Sequence, residues 1–138
     1  MSEENKALVR RIVEDLWHKK THALIDELYA PTYVLRTPDG VLHGPAGYRQ
    51  IYTVYTTAFP DVHFTIEDMI AEGEKVATHY IVRGTHTGDL RGIAPTGTQV
   101  TVMGTTIHRF TGGQVVEDRA VWDTLSLMQQ LGVVPTSG

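Results

Sequence analysis

Up to Phe59 the apolar residues recur at helical spacing, and from Val62 onward they alternate with polar ones, so the chain reads as helices first and strands afterwards. Leu8, Val9, Ile12, Val13, Leu16 and Trp17 make one stripe, with Arg10, Arg11, Glu14 and Asp15 on the other side. Ser2 is placed to cap this helix, and Glu3 and Glu4 suit its positive end. A second, shorter helix is expected from Thr21, carrying Leu24, Ile25, Leu28 and Tyr29 and ended by Pro31. A short strand at 33–37 leads into the turn Pro38-Asp39-Gly40. Pro45 suits the first position of a third helix, which runs to about Phe59 with Tyr48, Ile51, Tyr52, Tyr55 and Phe59 along one face. Residues 53–57 of that helix are poor helix formers, so packing of the aromatic stripe has to hold them.

The alternating half predicts strands at 62–72, 76–87, 99–110 and 115–122, the last two joined by Gly112-Gly113. Between the second and third lies a loop at 88–98. Asp123 can cap a last helix over 124–131, stopped by Gly132. Helices followed by an antiparallel meander indicate an α+β fold: one domain over 1–138, with a curved, cone-shaped antiparallel sheet packed against the N-terminal helices and an internal pocket between the layers. Strand parity puts Thr106, His108 and Phe110 on one side of the third strand, and Asp118, Ala120 and Trp122 on one side of the fourth. Ile107, Val115 and Val121 have the opposite parity. An exposed apolar face of that length is expected to pair, giving a homodimer through the outer side of the sheet.

Composition narrows the function. A 138-residue chain that is 41% hydrophobic and 20% charged can bury a real core. Its net charge of −4 and lack of any basic run argue against nucleic acid as a partner. There is no cysteine, hence no disulfide framework, thiolate metal site or cysteine nucleophile. No apolar run approaches the roughly 20 residues of a membrane span. The polar N-terminus has no signal-peptide character, and a cytoplasmic protein is the default expectation.

Asp118 and His108 are the candidate catalytic pair. Beside Trp122 and Phe110, a buried carboxylate can act as base or acid near neutral pH; alternatively it pairs with Arg119, Arg109 or another cation at the sheet rim. His108 can donate to a developing enolate or carry a proton, or it can be a core histidine bonded to a threonine. The expected ligand-binding residues are His86, Tyr48, Tyr52, Tyr55 and Phe110, together with Trp122, Thr106, Ala120 and Trp17. A tyrosine hydroxyl that reaches the cavity would serve as an oxyanion donor, and Trp17 and Trp122 suit the walls for a flat ligand. His86, in Gly84-Thr-His-Thr-Gly88, either touches ligand or braces its loop through the backbone. His79 reads as structural or surface, and His43 as a helix-entry residue. His18 and His22 are four apart but separated by a helix start, so no metal site is expected.

Several stretches carry a family likeness: Leu42-His-Gly-Pro-Ala-Gly-Tyr48, Ala58-Phe-Pro-Asp61, Gly84-Thr-His-Thr-Gly88, Ile93-Ala-Pro-Thr-Gly97, His108-Arg-Phe-Thr-Gly-Gly113, and Trp122-Asp-Thr-Leu125 with Gln129-Gln-Leu-Gly132. In this order they resemble the SnoaL-like polyketide cyclases of the nuclear transport factor two-like superfamily. The resemblance implies a cone-shaped α+β fold and cofactor-independent acid/base chemistry, either aldol-type cyclisation or isomerisation, on an apolar cyclic or polyketide-like carbonyl compound. The alternative is a non-catalytic small-molecule-binding module of the same fold. Carried over, the family's acid/base aspartate falls on Ala120 and its pocket histidine on Thr106, while Asp118 and His108 lie two residues away on the same faces.

Overall fold

The apolar stripe of the N-terminal segment forms helix α1 (Ser2–Arg11), which runs unbroken into a wider π-helical segment (Ile12–His18). The computed structural model describes residues 2–135. Ser2, the expected cap, is itself helical. The π-helical segment ends where Lys20 turns to a positive φ of 57°. The Leu16 carbonyl near its end accepts a hydrogen bond from Tyr52 Oη at 2.9 Å, which satisfies one of the acceptors that a helix terminus leaves open. Helix α2 (Leu24–Leu28) is shorter than the pattern suggested, because strand β1 (Tyr29–Thr37) already begins at Tyr29. Tyr29 is drawn into the core by stacking on Tyr48, with ring centroids 4.1 Å apart, and by an edge contact with Tyr33 at 4.8 Å. Pro31 therefore lies inside a strand. It sits within an interruption of the ladder between Tyr29 and Val34, where its missing N–H leaves no gap in the pairing.

After β2 (Gly40–His43), helix α3 (Gly44–Ala58) starts with Pro45 in its first turn and buries Tyr48, Ile51 and Tyr52. His43 occupies the N-cap position, as the helix-entry reading implied. Strands β3 (His63–Glu72), β4 (Lys75–Thr85), β5 (Gln99–Thr111) and β6 (Gln114–Trp122) follow, each within two residues of the bounds read from alternation. Helix α4 (Thr124–Gln130) is capped by Asp123, whose carboxylate accepts from the Ser126 amide at 3.0 Å.

The six strands form one sheet in the order β2-β1-β6-β5-β4-β3. It is curved, unclosed and mixed: β1 runs parallel to β6, whereas an all-antiparallel sheet was expected. The reason is that β1 arrives from the helical half and lies along the last strand, a long-range pairing that the local pattern cannot encode. A register shift on β6 leaves Val116 as an extra residue, so that Phe110 pairs with Val115. This bulge reverses the parity of Val115, which is buried and does not join Ile107 and Val121 on the outer face. α1 packs on β3 and β4, the π-helical segment on β3, α3 on β1 and β2, and α4 on β5. No helix among the described residues is long and apolar enough to cross a membrane.

Candidate active site

A cavity of about 160 Å³ lies between the inner face of the sheet and the layer formed by α1, the π-helical segment and α3. Its wall is mostly apolar, with a few polar groups concentrated on β4, β5 and β6, the usual make-up of a small-molecule site. Of the residues expected to bind ligand, Trp17, Tyr48 and Tyr55 reach the wall from the helices. Thr106, Ala120 and Trp122 reach it from the sheet, together with the candidate catalytic pair His108 and Asp118.

Asp118 and His108 face each other directly across β5 and β6. Asp118 is almost fully buried and His108 nearly so. Asp118 Oδ1 lies 2.8 Å from His108 Nδ1, and Oδ2 accepts a hydrogen bond from Tyr33 Oη at 2.7 Å. An ionised carboxylate only accepts, so Nδ1 is the donor, and when the ring is neutral its lone pair is on Nε2. Nε2 makes no hydrogen bond among the described residues, and it is not one of the sealed-off polar atoms. The result is a chain Tyr33–Asp118–His108 that ends on an open nitrogen at the cavity wall. Tyr33 is a reliable donor in it: burial above all, and then the Asp118 charge, pushes its phenol well above the usual range.

The rim pairing considered for Asp118 belongs to its neighbour instead. Glu117 points the other way and collects Arg36 at 2.8 Å, Arg109 at 3.5 Å and Arg119 at 3.7 Å. The Arg36 hydrogen bond first, then the nearby guanidinium charges, hold the Glu117 carboxyl below its ordinary value. Parity thus separates two adjacent carboxylates, one onto the arginines and one into the apolar cavity.

Three expected contact residues are placed elsewhere. Tyr52 turns its hydroxyl to the Leu16 carbonyl and is absent from the cavity wall. Phe110 is buried with its ring centroid 6.1 Å from that of His108, off the wall. His86 is fully buried in its loop, with Nδ1 accepting from the Thr96 amide at 3.2 Å and 3.0 Å from Thr96 Oγ1, which is the loop-bracing alternative. His18 is engaged with the Phe64 amide and Glu14, and no group of metal-ligating side chains occurs among the described residues.

Sequence reading missed Tyr33, Tyr80 and Thr78. Parity offered a signal for two of them, since Thr78 and Tyr80 alternate with the buried Val76 on β4. For Tyr80 there was a second signal in Gly104, its direct partner on β5. A Cβ at Gly104 would lie 2.7 Å from Tyr80 Cε1, so the bare backbone there makes room for the ring.

A family model described as SnoaL-like polyketide cyclase matches residues 7–131. The chain belongs to the SnoaL-like polyketide cyclase family. Among solved structures, AclR, a candidate hydroxylase from Streptomyces galilaeus, is similar with a TM-score of 0.90 and 28% identity, covering 100% of this chain and 91% of that one. IdmH, a candidate polyketide cyclase from Streptomyces antibioticus, gives a TM-score of 0.82 at 25% identity, covering 94% of this chain and 99% of that one. TsrD from Streptomyces laurentii, at 22% identity and a TM-score of 0.83 over 96% of this chain and 97% of that one, shares the fold. No curated protein matches the chain in sequence. Thr106 and Ala120 are themselves cross-strand partners, in the row beside Asp118 and His108. The two rows are one pleat apart, roughly 6.4–6.8 Å along the strands.

Proposed function

We propose that the protein is a cofactor-independent acid/base enzyme of this family that acts on a compact, mostly apolar carbonyl compound, with His108 Nε2 as the group that takes and returns the proton. The observation that carries this reading is the buried chain Tyr33–Asp118–His108 ending at an apolar cavity. Asp118 had been expected to remove the proton itself. Both of its oxygens are engaged, so the hydrogen bonding favours an exchange of roles: His108 moves the proton and Asp118 is a positioning residue that holds the ring in one tautomer. The lone pair on Nε2 takes a proton from the carbon next to the carbonyl, and the C–H electrons move onto the carbonyl oxygen as an enolate. The enolate carbon then attacks a second carbonyl within the molecule and the imidazolium protonates the alkoxide that forms, an aldol closure; in a β,γ-unsaturated ketone the dienolate instead takes the proton back from the imidazolium at its γ carbon, an isomerisation. Either path returns His108 to its neutral state.

Size bears on the substrate. An engineered 150 Å³ cavity accommodates benzene, so a cavity of about 160 Å³ suits one ring or a small fused pair. The test needs no natural substrate: small ring ketones in deuterated buffer, with exchange at the carbon next to the carbonyl followed by NMR. Wild-type protein is expected to accelerate exchange above buffer alone. Binding without exchange would overturn the enzyme reading in favour of the binding module, which Ala120 and Thr106 at the family positions otherwise favour.

The outer face of the sheet carries Met103, Ile107 and Val121, all exposed on neighbouring strands. We propose that it pairs with a second copy of the chain, since monomers rarely leave such a face open. Light scattering at micromolar concentration is expected to give twice the chain mass for wild type and the single mass for Val121→Glu; a monomeric wild type would refute the pairing.

A further inference from the structure

The row of the sheet beside the histidine–aspartate pair carries hydroxyls that the acid/base chemistry does not use. Thr78 on β4 and Thr106 on β5 are direct cross-strand partners. Tyr80 Oη reaches over to lie 3.1 Å from Thr106 Oγ1. All three line the cavity. Thr78 is 2% exposed, and its Oγ1 has no hydrogen-bond partner among the described residues. A buried hydroxyl with no partner is destabilising, and native structures retain few of them.

Counting protons makes the point sharper. Each of the three hydroxyls carries one, and the Tyr80–Thr106 contact uses one. One proton of the Tyr80–Thr106 pair remains uncommitted at the cavity wall, whereas the Thr78 proton, also without an acceptor, is closed off from the cavity. Burial pushes the Tyr80 phenol up to about 12, which keeps it a neutral donor across ordinary pH. Its ring is seated over Gly104, where any side chain would collide with it. The cluster is thus preorganised: two hydroxyls on neighbouring strands and a third set beside them by a glycine.

We propose that Thr106 and Tyr80, with Thr78 behind them, form an oxygen-binding subsite whose uncommitted O–H group holds a carbonyl or enolate oxygen of the ligand. This rests on the reading of the cavity as the reaction site and deepens it by naming the group that the ligand carries. Thr106 is two residues from His108 along β5, about 6.4–6.8 Å between backbones. That separation suits the oxygen of an enolate at one end and the carbon losing its proton, facing Nε2, at the other. The ligand class is a compact ring ketone with a hydrogen on the carbon adjacent to the carbonyl. Donors aimed at that oxygen gain strength as charge moves onto it, which makes the subsite an oxyanion site as well as a binding one.

The test compares 1-indanone with indane, which share a skeleton and differ by the carbonyl oxygen, on wild type and on the near-isosteric double variant Thr106→Val with Tyr80→Phe, which removes both hydroxyls of the pair. Calorimetry is expected to find 1-indanone weakened about 2–12-fold by the double substitution, the range of one neutral hydrogen bond, with indane changed by less than about twofold. Infrared spectroscopy supplies a reading that does not depend on the variants folding: the carbonyl stretch of 1-indanone bound to wild type should fall below its value in an alkane. Equal weakening of both ligands, an unshifted stretch, or no binding of 1-indanone to wild type at millimolar concentration would each overturn the proposal. The two readings fail separately. Oxygen-dependent binding without proton exchange rejects His108 as the base and keeps the subsite, whereas exchange with oxygen-independent binding rejects the subsite alone.

Discussion

Replacing His108 by glutamine is expected to lower kcat for proton exchange by about 10²–10⁴-fold, the usual contribution of a positioned general acid/base, with little change in KM. Glutamine retains a polar side chain to meet Asp118 but carries no basic nitrogen toward the cavity. Asp118→Asn is expected to fall by a similar factor for a different reason. An amide offers N–H where the carboxylate accepted, so the imidazole is driven to keep its proton on Nε2 and loses the lone pair that faces the cavity. A merely structural Asp118 would leave the tautomer alone. Nitrogen-15 NMR of the His108 ring therefore separates the two cases: wild type should show the proton on Nδ1 and Asp118→Asn should show it on Nε2. Tyr33→Phe removes the 2.7 Å bond to Oδ2 and is expected to have a smaller effect in the same direction. Full activity in His108→Gln, with the fold verified by circular dichroism, would remove the imidazole from the mechanism.

The largest expected effect on stability is at Gly88, in the loop between β4 and β5. A Cβ there would stand 1.9 Å from the Thr57 carbonyl oxygen and 2.8 Å from its carbon, so backbone rather than a movable side chain blocks it. The Gly88 and Thr87 amides both donate to the Ala58 carbonyl, at 3.1 and 3.2 Å, which locks the loop after β4 onto the end of α3. Gly88→Ala must break that lock. The expected loss is about 3 kcal/mol, the upper end for overpacking, or a melting temperature lower by roughly 10 °C for a domain of this size. Thermal unfolding followed by circular dichroism measures it. A melting point within a degree or two of wild type would mean that the loop moves away from α3 without penalty.

Much of the site was legible because it depends on parity. Alternation placed Thr106, His108 and Phe110 inside with Asp118, Ala120 and Trp122, and all but Trp122, which is partly covered, are buried. The same rule failed at Val115, where one extra residue on β6 reverses the side it faces. It also left Asp118 two sets of partners to choose from. The choice went to Tyr33, whose separation of 85 residues from Asp118 leaves no trace in any local window. Helix α2 and the start of β1 were misjudged for a related reason, because stacking of Tyr29 on Tyr48 outweighs the helical pattern that Tyr29 seemed to extend. Tyr80 and Thr78 were readable in principle and were passed over, since a tyrosine opposite a glycine has significance only once the two strands are known to be paired.

By itself the sequence determined the class of each element, the side on which most strand residues lie and the family, because these follow from the covalent geometry of the backbone and from the order of short stretches along it. Only the tertiary structure decided that β1 runs parallel to β6, that Tyr33 closes the chain onto Asp118 and His108, and that three hydroxyls meet one pleat away. Those are choices between partners distant along the chain. They are settled by how aromatic rings and apolar faces pack around a shared cavity, which no local period records.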